Sequence, residues 1–154
     1  MSYSGKIRIL LDTTYILPII GIDVEDIEKV IVLLKKLRDK GVAEFYYTQF
    51  NILEIIGKLG RIDFDKDRVE LGLISIKEEF IEVKPSLKAW LKALELRRKG
   101  FRDIIDLLLY TTSLTNNILF LTRDIELIKF LEDIGEDTST VLPEEKFLYT
   151  YANI

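Results

Sequence analysis

Apolar positions along the chain switch between two spacings, short runs suited to strands and i, i+3, i+4 patterns suited to helices. Lys6-Ile-Arg-Ile-Leu-Leu11 is a β-rich run ending at Asp12, and it predicts the first strand. From Asp23 the spacing turns helical: Ile27, Val30, Ile31, Leu34 and Leu37 share a face, with Asp23 as the expected N-cap and Gly41 as the stop. Ala43 to Tyr47 reads as a second strand. Thr48 can cap a helix carrying Phe50, Ile52, Leu53, Ile55, Ile56 and Leu59, halted at Gly60. A helix over about Asp65 to Glu79 and a brief strand from Ile81 to Lys84 come next. Pro85-Ser86 opens a helix whose apolar arc is Leu87, Trp90, Leu91 and Leu94, with Trp90 expected in the core and Gly100 as the end. A helix from about Arg102 to Thr115 leads through Asn116-Asn117 into a strand, Ile118 to Leu121. Asp124 caps a helix from Ile125 to Asp133, Ser139 to Leu142 is a last strand, and Pro143 begins a terminal helix. Strands alternating with helices, with no linker or low-complexity stretch, describe one α/β domain over residues 1–154. The expected architecture is a three-layer α/β/α sandwich with a mostly parallel sheet.

Composition narrows the chemistry. The chain has 154 residues, 48% hydrophobic and 31% charged, which suits one globular domain with a substantial core. Cys and His are both 0, which excludes disulfides, thiolate nucleophiles, His-based triads and Cys/His zinc sites. Any metal must be held by oxygen, which favours hard cations such as Mg²⁺, Mn²⁺ or Ca²⁺. No apolar run reaches the length of a membrane span, so no membrane partner is expected. The opening Met-Ser-Tyr-Ser-Gly-Lys lacks a signal-peptide pattern, and the expected location is cytoplasmic.

Acids stand where such a sheet builds its sites, at the carboxyl ends of strands. Asp12 directly follows the first strand, and Asp124 lies just beyond Ile118–Leu121, across Thr122-Arg123. Two further acids interrupt apolar helical stretches, Glu54 in Asn51-Ile-Leu-Glu-Ile-Ile56 and Asp106 in Ile104-Ile-Asp-Leu-Leu-Leu109. A carboxylate in such a stretch costs several kcal/mol unless paired or coordinated. The plainer reading makes each one a helix cap or a wetted side chain, with Lys58 and Arg102 as weak i, i+4 partners.

At these places the sequence resembles the PIN domain family, the nuclease fold of toxin ribonucleases and RNA-processing enzymes. The resemblance spans essentially the whole chain and rests on Leu10-Leu-Asp-Thr-Thr14, Asn51-Ile-Leu-Glu54, Asp106-Leu-Leu-Leu-Tyr-Thr-Thr and Leu121-Thr-Arg-Asp124. It implies a PIN-like fold and a cluster of Asp12, Glu54, Asp106 and Asp124 holding Mg²⁺ or Mn²⁺. Asp103, one turn before Asp106, is an accessory or competing ligand, and Thr14 and Thr122 would contribute hydroxyls. The implied activity is hydrolysis of phosphodiesters in single-stranded or looped RNA, leaving a 5′-phosphate and a 3′-hydroxyl. An antitoxin protein and a homodimer are the implied partners. The sequence departs from the family at Tyr110-Thr-Thr-Ser113, where small residues are usual, which should alter packing more than chemistry.

Carboxylates gathered this way repel one another and call for a compensating cation, which can activate water and neutralise charge on phosphate oxygens. The net charge of -4 leaves RNA binding to a local track: Lys84, Lys88, Lys92 and Lys99 fall on one stripe, with Arg102 nearby. A solvated helix face is the ordinary alternative for such a run. A phosphate-accepting receiver module fits poorly, because Asp12 stands alone after its strand and Phe45-Tyr-Tyr-Thr48 contains no acid. P-loop and Rossmann glycine fingerprints are absent. A PIN-like module that binds RNA or a protein without cleaving is the stronger alternative.

Overall fold

A computed structural model describes residues 5–154; Met1–Ser4, part of the opening read as lacking a signal pattern, lie outside the described residues. The strands β1 (Ile7–Leu11), β2 (Ala43–Tyr47), β3 (Ile81–Glu82), β4 (Leu119–Thr122) and β5 (Val141–Pro143) form a sheet ordered β3-β2-β1-β4-β5. Every pairing in it is parallel. The first strand is therefore central, flanked by β2, which leads to Glu54, and β4, which leads to Asp124.

Side chains alternate across the sheet, as the strand period of 2 requires. Ile9, Leu11, Phe45, Tyr47 and Leu121 point to one face, where they pack with α1 (Glu28–Asp39), α2 (Gln49–Leu59), α3 (Lys66–Glu79) and α7 (Glu144–Tyr151). Leu10, Tyr46 and Phe120 point to the other face, against α4 (Leu87–Arg98), α5 (Ile104–Asn116) and α6 (Ile125–Asp133). Two cores on two faces make the three layers expected. No helix among the described residues is long and apolar enough to cross a membrane.

Helix starts follow side-chain capping. Thr48, Asp65, Ser86 and Asp124 each accept backbone N–H groups at the head of the helix expected after them. The first helix departs from expectation: it begins at Glu28, not after Asp23. Two short 3-10 turns, Thr13–Tyr15 and Leu17–Ile20, occupy the chain after β1. The second turn packs on α3, where Gly72 leaves no room for a side chain. A Cβ there would sit 2.6 Å from the Ile19 carbonyl oxygen and 2.8 Å from the Ile20 Cα.

The apolar arc of α4 also runs opposite to expectation. Its buried face is Ala89, Ala93 and Leu96, small enough to bring the helix close to α5. Leu87, Trp90, Leu91 and Leu94 face outward, and Trp90 is 45% exposed. Within the departure at Tyr110–Ser113, Tyr110 is fully buried and its hydroxyl donates to the Asp137 carbonyl at 2.6 Å. In the C-terminal helix Phe147 is buried in the core, whereas Tyr149 is exposed.

Candidate active site

Asp12 ends β1 as a buried side chain held on both oxygens. Oδ1 accepts the Thr13 N–H at 2.7 Å and Oδ2 accepts the Thr122 hydroxyl at 3.0 Å. Thr122, the last residue of β4, is fully buried, and its Oγ1 accepts the Asp124 N–H at 3.0 Å. One hydroxyl thus links two of the acids across neighbouring strands. Asp124 is half-buried and caps α6, its Oδ1 accepting the Leu127 N–H.

Glu54 is half-buried on α2. The position of that helix is fixed by Asn51, a fully buried amide with both ends engaged. Its Nδ2 donates to the Leu11 carbonyl at 3.1 Å and to Thr13 Oγ1 at 3.0 Å, while its Oδ1 accepts from Thr48 N at 2.7 Å and Thr48 Oγ1 at 3.0 Å. Asn51 ties the start of α2 to the end of β1 one turn before Glu54. Asp106 is buried in the first turn of α5, and Asp103 is the exposed N-cap of that helix, accepting the Asp106 N–H at 3.1 Å. Thr14 is half-buried, and the hydroxyl of its neighbour Thr13 accepts from Asn51.

The acids act on one another. Burial pushes the Asp12 carboxyl from 3.8 up to about 7 against the pull of the Thr122 hydrogen bond, and the charges of Glu54 and Asp124 add to the rise. Asp106 is raised further: by burial first, then by a hydrogen bond with the Asp124 carboxyl, then by the charges of Asp12, Asp103 and Asp124. The candidate carboxylates therefore share one electrostatic environment that favours an added positive charge, whether proton or cation. Among the described residues no three acidic side chains are already disposed around a point as a metal-holding group. The donor set fits a hard divalent cation in chemical kind, all of it oxygen and over-rich in negative charge, and the carboxylates would have to swing inward to ligate one.

Behind the acids Arg123 braces the loop after β4. It grips Glu144 through Nε at 2.9 Å and Nη2 at 3.2 Å, and donates to the Glu25 and Asp26 carbonyls. The buried Tyr15 hydroxyl donates to the same Glu144 oxygen at 2.9 Å. Thr13, Asn51 and Arg123 have no role in the sequence reading, although the Thr48-x-x-Asn51 spacing is that of a capping box.

The basic track is divided. Lys84 follows β3 beside the end of β2, where Val83 N–H donates to the Tyr47 carbonyl, and it is exposed. Lys88 and Lys92 line a cavity with Leu114, Thr115 and Glu136, at the end of α5 away from Asp106. Lys92 pairs with Glu136 at 2.7 Å, and Lys99 pairs with Glu95 at 3.4 Å. Arg102 is exposed next to Asp103.

The family profile of the PIN domain matches residues 9–131, the span that runs from β1 through α6. The chain belongs to the PIN domain family. Solved structures agree on the fold of this PIN domain. A chain of VapBC2 from Rickettsia felis, bound to a DNA fragment from their promoter, superposes with a TM-score of 0.58 at 17% identity, over 79% of this chain and 92% of that one. FitAcB from Neisseria gonorrhoeae gives 0.54 at 14% identity, covering 80% and 93%. FitAB bound to an IR36 DNA fragment gives 0.55 at 16%, covering 80% and 90%. Comparison with curated proteins gave no significant match.

Proposed function

We propose that this PIN domain is a metal-dependent endoribonuclease that hydrolyses phosphodiesters of single-stranded or looped RNA. The observation that carries the proposal is the gathering of the acids: two buried carboxyls, Asp12 and Asp106, are raised by burial first and then further by Glu54, Asp103 and Asp124 around them. Purely structural acids would be neutralised by Lys or Arg, and Arg123 is committed to Glu144 instead. Mg²⁺ or Mn²⁺ bound there would supply Lewis-acid activation of water and neutralise charge on the phosphate. Asp12, Glu54, Asp106 and Asp124 would hold the ion, with Asp103 at the edge of the set. Thr122 orients Asp12, and Asn51 holds the start of α2, from which Glu54 would reach the same centre. The exposed Lys84, Lys88 and Arg102 would attract the polyanion.

An antitoxin protein is proposed as partner, because the solved relatives are VapBC and FitAB complexes. A cavity of about 300 Å³ beside β1, lined by Tyr15, Ile19, Ile31, Leu34, Phe45 and Phe80, could take an apolar segment of it. A homodimer is proposed with it, the outward Leu87, Leu91 and Leu94 of α4 being apolar surface that a second copy would cover.

A single-stranded RNA panel tests the activity, incubated with wild type or Asp12→Asn, in Mn²⁺ or in chelator. Cleavage confined to wild type with metal is expected. RNA binding without cleavage in every condition would replace the nuclease by a binding module.

A further inference from the structure

Trp90 is the only tryptophan of the chain, and 45% of it is exposed. The ring is braced from one side. Phe50 meets it edge-to-face, with ring centroids 5.3 Å apart and planes at 82°. Phe50 lies one turn before Glu54 on α2, so the two side chains share a helix face. The aromatic pair is therefore anchored next to one of the candidate acids.

The two flanks of α4 differ. At 100° per residue, Lys88, Lys92 and Lys99 fall on one side, the side that meets Glu136 and the end of α5. Trp90 and Arg97 fall on the opposite side, toward α2, and the outward pole between them holds Leu87 and Leu91. The exposed cation Lys84 stands at the carboxyl edge of the sheet, beside the strand that feeds α2 and so the Phe50 that meets Trp90. Arg97, which donates to the Phe101 carbonyl at 3.2 Å, lies two turns along the same side of α4 as Trp90. An exposed apolar ring next to an acidic centre, with exposed Lys84 at the same edge of the sheet, has the make-up of a base-stacking surface: the ring takes the base and the cations attract the phosphates.

Resting on the nuclease reading above, we propose that Trp90, braced by Phe50, stacks a base of the single-stranded nucleic acid whose backbone passes the acid cluster. The ligand is a nucleobase in an unpaired strand, since a base inside a duplex has no free face to offer.

The single tryptophan makes the contact directly observable. The probes are a single-stranded RNA oligonucleotide and an abasic oligomer of the same length and charge, titrated into Asp12→Asn protein with Mg²⁺, so that no cleavage is needed. The RNA should quench the tryptophan fluorescence, and the abasic strand should leave it nearly unchanged. With a labelled strand read by anisotropy, Trp90→Ala should bind roughly 5- to 150-fold more weakly, the range of one base–aromatic stack, and Trp90→Phe should recover most of the loss. Circular dichroism confirms that the variants fold, and the comparison of RNA with abasic quenching, made with Trp90 in place, keeps the test valid if Trp90→Ala does not. Equal quenching by the abasic strand, or unchanged affinity in Trp90→Ala, overturns the proposal. So does a fluorescence shift that follows protein concentration and is indifferent to RNA, which would place Trp90 between two copies. Base-dependent quenching in a protein that cleaves nothing would uphold the stack and reject the nuclease; cleavage with an unaltered KM in Trp90→Ala would do the reverse.

Discussion

Asp12 sits between opposed influences. The Thr13 N–H and the Thr122 hydroxyl stabilise its ionised form, while burial and the charges of Glu54 and Asp124 oppose it. Opposition wins, and the carboxyl rises from 3.8 to about 7. Below pH 4 the group is protonated in folded and unfolded chains alike and has no effect on stability. Between pH 4 and 7 the unfolded chain loses its proton while the folded one keeps it, so stability falls as pH rises, and above 7 the loss is complete. From this group the loss is on the order of a few kcal/mol. Thermal melts of metal-free protein should therefore show a decline from pH 5 to pH 8. Asp12→Asn should melt above wild type at pH 8, with the gap narrowing at pH 5. A gap independent of pH would mean that ionisation of Asp12 is not the cause.

At the scale of elements, α5 presents two acids in different settings. Asp103 is exposed and caps the helix, a task asparagine performs about as well, whereas Asp106 is buried among the other carboxylates. Asp106→Asn should abolish cleavage and Asp103→Asn should leave most of it, both read from initial rates on one RNA; the reverse ranking would move the ligand one turn toward the N-terminus. The contact of α3 with the turn Leu17–Ile20 depends on Gly72. Gly72→Ala pushes a methyl into backbone atoms that cannot swing aside, and it should destabilise the fold by about 1–3 kcal/mol, checked by urea denaturation. Elements with a side-chain cap were legible in the sequence, because Thr48, Asp65, Ser86 and Asp124 act locally. The face that α4 buries was not. Its long apolar residues outrank Ala89 and Ala93 in hydrophobicity, and only the close approach of α5 selects the small ones.

For the whole molecule, parallel topology does what no single segment can. Because β1 lies between β2 and β4, the residues following all three strands come together at one edge: Asp12, the α2 start with Asn51, and Asp124. As candidates, Asp12 and Asp124 were readable from their places after strands, and Glu54 and Asp106 as carboxylates within apolar stretches. The supports Asn51, Thr13 and Arg123 were not, because their partners lie far along the chain, Thr13 and Leu11 for Asn51 and Glu144 for Arg123. Of the expected lysine stripe, Lys88, Lys92 and Lys99 share one side of α4 while Lys84 lies before the helix; Lys99 meets Glu95 one turn away on the same helix, but the pairing of Lys92 with Glu136 depends on packing. An acid cluster built in this way is strained by its own repulsion, so a cation that binds it must stabilise the entire fold. At a concentration 100 times its dissociation constant the gain is about 2.7 kcal/mol, or roughly 5–10 °C in melting temperature for a domain of this size. Mg²⁺ or Mn²⁺ should produce such a shift in wild type. The shift should grow from pH 6 to pH 8, because the ion must displace protons from Asp12 and Asp106. Asp12→Asn should lose most of it. An equal shift in both proteins would place the ion elsewhere, and no shift in wild type at any pH would remove the metal from the mechanism.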